Sequence, residues 1–185
     1  MRPTYANLLA ARGGQFTCNV RTPIDNSSGV AVSRSRVTLA GGTDLTIDAG
    51  DDDAPGMWVN YLEGRASYGI ASGGETWSAS GPFSGCHIVI GKKAGSVFVA
   101  HLAQQSGSTA DADWQSRGWS DGQVWARWKV PMPSQTSFSG SIVFVDWSRG
   151  DRPDAISVVR VDVETRSMGG MNGRIFDVVH VINPE

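Results

Sequence analysis

The chain has 185 residues, a formal net charge of −2, 23 glycines and 7 tryptophans; that length suits one domain with a sizeable core, and the balance argues against a nucleic-acid binder, which needs a basic face. Two cysteines do not make a disulfide framework, so the chain suits a reducing compartment, with a Cys18–Cys86 bridge left open by the sequence alone. There is neither a charged start followed by an apolar core nor an apolar run of membrane-spanning length, so a soluble chain without a secretory signal or membrane segment is expected, leaving the cell, if it does, by another route.

Thr4 to Arg12 reads as a short amphipathic helix with Pro3 and Thr4 at its start and Gly13-Gly14 stopping it. A strand around Phe16 to Val20 follows, whose alternation puts Cys18 on the face of Phe16 and Val20 and marks it as structural. Further strands are expected near Val30 to Val32, Val37 to Leu39, Leu45 to Ile47 and Trp58 to Leu62. Asp48, Asp51, Asp52 and Asp53 do not have calcium-loop spacing and read as a solvated turn, so no metal site is expected there.

The chain's most informative stretch is Ser80 to Leu102. Cys86 to Ile90 and Ser96 to His101 are β-branched, apolar arms, and the Lys-Lys-Ala-Gly segment Lys92 to Gly95 between them is turn-like, which makes a β-hairpin. A loop centred between Lys93 and Ala94 pairs Gly91 with Ser96, Ile90 with Val97, Ile88 with Val99 and Cys86 with His101. A three- or five-residue loop with a bulge at Gly95 shifts that register. Direct cross-strand partners have Cβ atoms about 4.5–5.5 Å apart, so a thiol and an imidazole can meet without any distant segment. The imidazole can take the thiol's proton and hold the thiolate as an ion pair, the nucleophile of acyl transfer. The backbone N–H groups of Gly85 and Cys86, at a glycine-flanked bend, are candidates for holding an oxyanion. The plain alternative is a small buried cysteine and a satisfied core histidine.

After the hairpin, Gln104 to Ala110 reads as a polar loop, and Thr109 or Asp111 as the cap of a short helix through Ser116 that Gly118 ends. Strands are expected over Val124 to Val130, Ser141 to Trp147, Ile156 to Val163 and Ile175 to Ile182, with Val124, Ala126, Trp128 and Val130 inward and Trp125, Arg127 and Lys129 wetter. His180 reads as a core or rim residue, and His87 points away from the thiol. The tryptophan run Trp114, Trp119, Trp125 and Trp128 is read mainly as core filling; exposed, such rings would stack on sugars. The fold expected is mainly β (α+β): a single-domain β-sandwich of mixed sheets with a few short helices, spanning residues 1–185.

The Ser-Gly-Cys, strand, turn, strand and histidine resemble the catalytic core shared by the cytotoxic necrotizing factor catalytic domains, the Burkholderia lethal factor and the chemotaxis receptor glutamine deamidases. The resemblance covers Ser80 to Leu102. It implies a Cys/His pair on a β-sandwich that hydrolyses the side-chain amide of a protein glutamine, with Cys86 as nucleophile and His101 as base. Ser80 falls where the lethal factor and the chemotaxis enzymes have a threonine that orients the histidine; the necrotizing factors use a backbone carbonyl there. It further implies a toxin or effector that needs no cofactor, acts in a reducing host cytosol, and modifies a host regulatory protein such as a small GTPase or a translation factor. Two other readings remain: a carbohydrate- or protein-binding β-sandwich without catalysis, and a transglutaminase or cysteine protease built on the same pair.

Overall fold

A computed structural model describes residues 1–20, 32–104, 109–117, 123–133, 139–165 and 172–181. In chain order the elements are α1 (Tyr5–Ala10), β1 (Gln15–Cys18), β2 (Val32–Ala40), β3 (Asp44–Ala49), β4 (Gly56–Val59), β5 (Ala66–Ile70), β6 (Trp77–Phe83), β7 (His87–Lys93), β8 (Ser96–Leu102), α2 (Ala110–Ser116), β9 (Gln123–Lys129), β10 (Ser139–Asp146), β11 (Ser157–Thr165) and β12 (Gly173–Val181). The fold is mainly β, as the composition implies. No helix among the described residues is long and apolar enough to cross a membrane.

Eight strands close into a barrel in the order β1-β12-β11-β10-β6-β4-β2-β3, and β5-β8-β7-β9 form a separate four-stranded sheet. The barrel is mixed, because β1 runs parallel to β3 and β4 parallel to β6 while its other pairs are antiparallel. Alternation fills its interior: Phe16, Leu45, Ile47, Trp58, Trp77, Ala79, Phe144 and Val161 point inward, and Leu8 and Ala11 from the α1 segment join the same cluster. The helix starts as its sequence indicates, with Thr4 Oγ1 accepting from the Asn7 N–H at 3.3 Å.

The four-stranded sheet lies between two layers. One face, carrying Cys86, Ile88, Ile90, Val97 and Val99, is buried against the outside of the barrel on Met57, Val59, Phe83, Val143 and Val145. Its other face, carrying Val89, Phe98, Ala100 and Leu102, is covered by Ala110 and Trp114 of α2. Asp113 of α2 accepts from the Ala66 N–H at 2.9 Å, which ties the helix to the start of β5.

The hairpin register differs from the expected one. Ala94 and Gly95 both have positive φ, 49° and 85°, the two-residue turn whose twist suits a tight hairpin. Lys93 therefore faces Ser96, and Ile88 rather than Cys86 faces His101. This is a shift of two positions, so every side chain keeps its face. A bulge in β9 between the partners of Ile90 and Gly91 changes phase at its start. Val124 is consequently 45% exposed, and Trp125 turns toward the sheet–barrel core beside Trp128. The two strands expected at Val30 to Val32 and Val37 to Leu39 are one strand, β2, with residues 30 and 31 outside the described set; Trp119, Gly118 and Ile182 also lie outside it.

Candidate functional site

The site lies where the β7–β8 hairpin meets the barrel. His101, on β8, is 0% exposed, between Ser67 of β5 and Ile88 of β7. Ser80 of β6, also 0% exposed, places its Oγ 3.0 Å from His101 Nδ1 and 2.8 Å from the Val59 carbonyl of β4. A carbonyl only accepts, so the hydroxyl proton goes to Val59, and Ser80 Oγ is left to accept from Nδ1–H. That fixes the tautomer: Nδ1 carries the proton, and Nε2 is a bare acceptor. Nε2 is buried with no hydrogen-bond partner among the described residues. A relay of two bonds, running from imidazole to hydroxyl to backbone carbonyl, therefore leaves the Nε2 lone pair as a buried acceptor.

Phe83 and Tyr61 complete the setting of the ring. Phe83 stacks on the imidazole with centroids 3.8 Å apart and planes 11° apart, and Tyr61 meets it edge-on at 5.4 Å. Strict alternation would put Phe83 on the barrel-interior side of β6, opposite Ser80. A bulge prevents this: Ser80 faces Val143 and Phe83 faces Ser141, so three positions on β6 span two on β10. The extra residue, within Gly81-Pro82, brings Phe83 round to the side of Ser80.

Cys86 sits two positions before Ile88 on the same face, diagonal to His101 rather than opposite it. Such diagonal neighbours lie about 7–8 Å apart, so the structure places the two side chains on one face without a hydrogen bond between Cys86 and His101 Nε2. The chain enters this position through Gly85, whose φ of +95° is in the left-handed region that favours glycine. The Gly85 N–H donates to the Val130 carbonyl at 3.1 Å, and the Val130 N–H donates to the Cys86 carbonyl at 2.9 Å, which extends the β7–β9 ladder past the end of β7. The Gly85 N–H is thus already committed. Of the two amides expected to hold an oxyanion, the Cys86 N–H is the one not used in that clamp.

The electrostatics differ from the ion pair expected from the sequence. Burial pushes the His101 pKa from 6.5 down to about 3, with no charged neighbour contributing. The Cys86 side chain is 5% exposed; burial pushes its thiol above its ordinary value, partly offset by backbone hydrogen bonds from Ser84 and Gln104. Both groups are neutral at neutral pH, and no hydrogen bond joins the Cys86 thiol to His101 Nε2. Burial disfavours the charged form of each group, so a resting thiolate–imidazolium pair is disfavoured here.

The other candidates fall elsewhere. Cys18 is half-buried beside the barrel core, its thiol raised to about 11 by burial. His87 is half-buried and lowered by burial and then by Arg127. His180 is exposed at the barrel rim, stacked on Tyr5 at 5.1 Å and 3.2 Å from Ser157 Oγ. Every described tryptophan is buried or half-buried, Trp58 and Trp77 wholly so, which leaves no open aromatic platform for a sugar among the described residues. In the acidic loop, Asp51 and Asp53 pair with Arg36. Among the described residues, no group of three or more His, Cys, Asp or Glu side chains is placed to hold a metal ion. The sequence did not single out Phe83, Tyr61 or the Val59 carbonyl. For Phe83 the available signal was Gly81-Pro82 inside an extended segment, a mark of a bulge.

The fold and site together define a mainly β protein with a buried Ser–His relay and a cysteine on the same sheet face. No protein-family model matches the chain, and no curated protein matches it. Among solved structures it has a weak similarity to the C-terminal domain of CNFy from Yersinia pseudotuberculosis, with a TM-score of 0.34 and 12% sequence identity over 69% of this chain. The match spans 63% of that chain, less than two thirds of its length.

Proposed function

We propose that this chain is a cysteine-dependent protein-glutamine amidohydrolase of the toxin or effector kind, using Cys86 and His101. The observation that carries the reading is the Val59–Ser80–His101 relay, which presents a deprotonated Nε2 on the face that holds Cys86. What supports the reading is the combination: Ser80 holds the Nδ1–H, so the nitrogen left as an acceptor is Nε2, on the sheet face that also carries Cys86.

In the first half-reaction Cys86 Sγ attacks the glutamine side-chain carbon while its proton passes to His101 Nε2, giving a tetrahedral oxyanion next to the Cys86 N–H. Collapse breaks the C–N bond, and the imidazolium returns that proton to the nitrogen, which leaves as ammonia. In the second half, Nε2 takes a proton from water as it attacks the thioester; the C–S bond breaks, the proton returns to sulfur, and the substrate side chain is now glutamate. Because both groups start neutral, each proton transfer is concerted with attack, and the only charge pair is the short-lived imidazolium and oxyanion of the tetrahedral intermediate. Ser80 keeps Nδ1 protonated throughout, which is what holds Nε2 in the base form.

The test is ammonia release from protein glutamine by wild type, Cys86→Ala, His101→Ala and the double variant. Each single change abolishes it, and the double variant is no worse than either, since nucleophile and base act as a unit. Turnover by Cys86→Ala removes the proposal. Incorporation of an added primary amine faster than water keeps the site and changes the reaction to transamidation.

A further inference from the structure

We propose that Phe83 is a positioning residue of this site: its ring, carried onto the Ser80 side of β6 by the bulge, fixes the His101 plane so that Nδ1 stays on Ser80 and Nε2 stays the free base. The inference rests on the glutamine amidohydrolase reading for its catalytic meaning, but its physical content concerns the imidazole alone.

Three observations converge. First, the contact is face to face at 3.8 Å and 11°, tighter and flatter than the tilted aromatic contacts elsewhere, such as Trp77 on Phe144 at 6.4 Å and 42°. Second, Phe83 reaches this place only through a local break in the β6–β10 ladder, and bulges commonly serve to re-aim a side chain. Third, rotation about the Cβ–Cγ bond, a broad torsion for histidine, is opposed among the hydrogen bonds of the described residues by the single bond from Nδ1–H to Ser80. A flat neighbour on the imidazole face removes that freedom, and Tyr61 closes in edge-on. Of the residues paired with or touching the ring, Tyr61 is titratable and Val59, Ser67, Ser80, Phe83 and Ile88 are not; Cys86 is diagonal to it, Tyr68, His87 and Lys93 alternate to the other sheet face, and Lys92 lies at the far end of β7. Shape and burial rather than charge therefore govern the ring, and Phe83 covers one of its faces.

Phe83→Leu keeps an apolar side chain and removes the flat face. Nitrogen-15 spectra of the histidine rings report tautomer and titration directly, without any substrate. Wild type should show His101 as one Nδ1–H tautomer that does not titrate between about pH 7.5 and about pH 5, with ring protons shifted upfield by the stacked ring. In Phe83→Leu the tautomers should mix and the titration should move up toward the ordinary histidine range, while Phe83→Tyr should restore the wild-type pattern. With casein as a generic glutamine-bearing protein, ammonia release by Phe83→Leu should fall roughly ten- to a hundredfold in kcat with little change in KM, as misplacement of a base predicts. A folded leucine variant with an unchanged His101 spectrum overturns the proposal, whatever its Tm. If Phe83→Leu does not fold, Phe83→Met is read the same way, and a wild-type spectrum lacking the upfield shift overturns the proposal by itself. Absence of casein turnover by wild type shows only that casein lacks the contacts the site needs, and the ring spectra then decide the role of Phe83 by themselves.

Discussion

Keeping a neutral histidine in a dry interior makes the whole protein acid-sensitive in a predictable window. His101 has a folded pKa of about 3 against 6.5 when solvated. The folded state favours the neutral form, so its contribution to stability is complete above the solvated value. It is lost as pH falls toward the folded value, because the unfolded chain binds the proton first. Each pH unit inside that window is worth about 1.4 kcal/mol. Between about pH 7.5 and about pH 5 the loss comes to about 2 kcal/mol, a sizeable share of the 5–15 kcal/mol or so that holds a typical domain. Other groups contribute in the same range. His87 is lowered by burial and by Arg127, so it acts in the same direction. Asp162 is raised by burial, so its contribution has the opposite sign and is lost as pH rises above its ordinary value of 3.8. Glu75 and Asp113 are held low, so theirs is lost only as pH falls below their ordinary values of 4.5 and 3.8. The assay is urea unfolding at the two pH values, with His87→Gln as the background. Adding His101→Gln should remove about 2 kcal/mol of the pH dependence; an identical slope with and without His101 would refute the buried neutral imidazole.

Three further outcomes follow from the same geometry. Ser80→Ala strips the partner from both the Val59 carbonyl and the His101 Nδ1–H inside the protein. At about 1–3 kcal/mol for each bare group, and about 2–4 °C per kcal/mol for a chain of this size, Tm should fall by several degrees in thermal melts; a Tm within a degree of wild type contradicts the relay. Ser80→Thr keeps the hydroxyl, so it should retain the Nδ1–H tautomer in ring-nitrogen spectra even though its methyl must be fitted into a filled site. Iodoacetamide should label both thiols slowly in the native protein at neutral pH and quickly after unfolding, since burial raises both. Alkylation of native Cys86 at the speed of a low-pKa thiolate, read by peptide mapping, would sink the neutral pair.

The hairpin was legible because its arms are continuous apolar runs around a glycine turn, and its register error was harmless to the face assignment because it was even. Leu8, Phe16 and the valines of β11 were legible in the same way, by period. Strands β5 and β6 were not, since Ser67, Ser78 and Ser80 are buried polar residues whose partners come from other strands. The barrel closure depends on parallel β1–β3 and β4–β6 contacts that leave no local mark. Trp125 and Phe83 were placed by bulges, each an insertion of one position that a strict alternation cannot foresee. The charge state of the pair lay furthest out of reach. It is set by Val59, Phe83 and Tyr61 closing around His101, three residues outside the hairpin that the Cys–His spacing says nothing about.

The central claim is that Cys86 and His101 convert a protein glutamine to glutamate. Its most direct measurement is a mass-spectrometric comparison of tryptic peptides from a eukaryotic cell lysate treated with wild type, with Cys86→Ala and with His101→Ala. The account predicts at least one glutamine, in a folded protein, that gains about one mass unit with wild type and with neither variant, because exchanging an amide for an acid changes the side chain by that amount while remote contacts with the folded target position the bond. A lysate with no Cys86-dependent conversion, or the same conversion by Cys86→Ala, would contradict it.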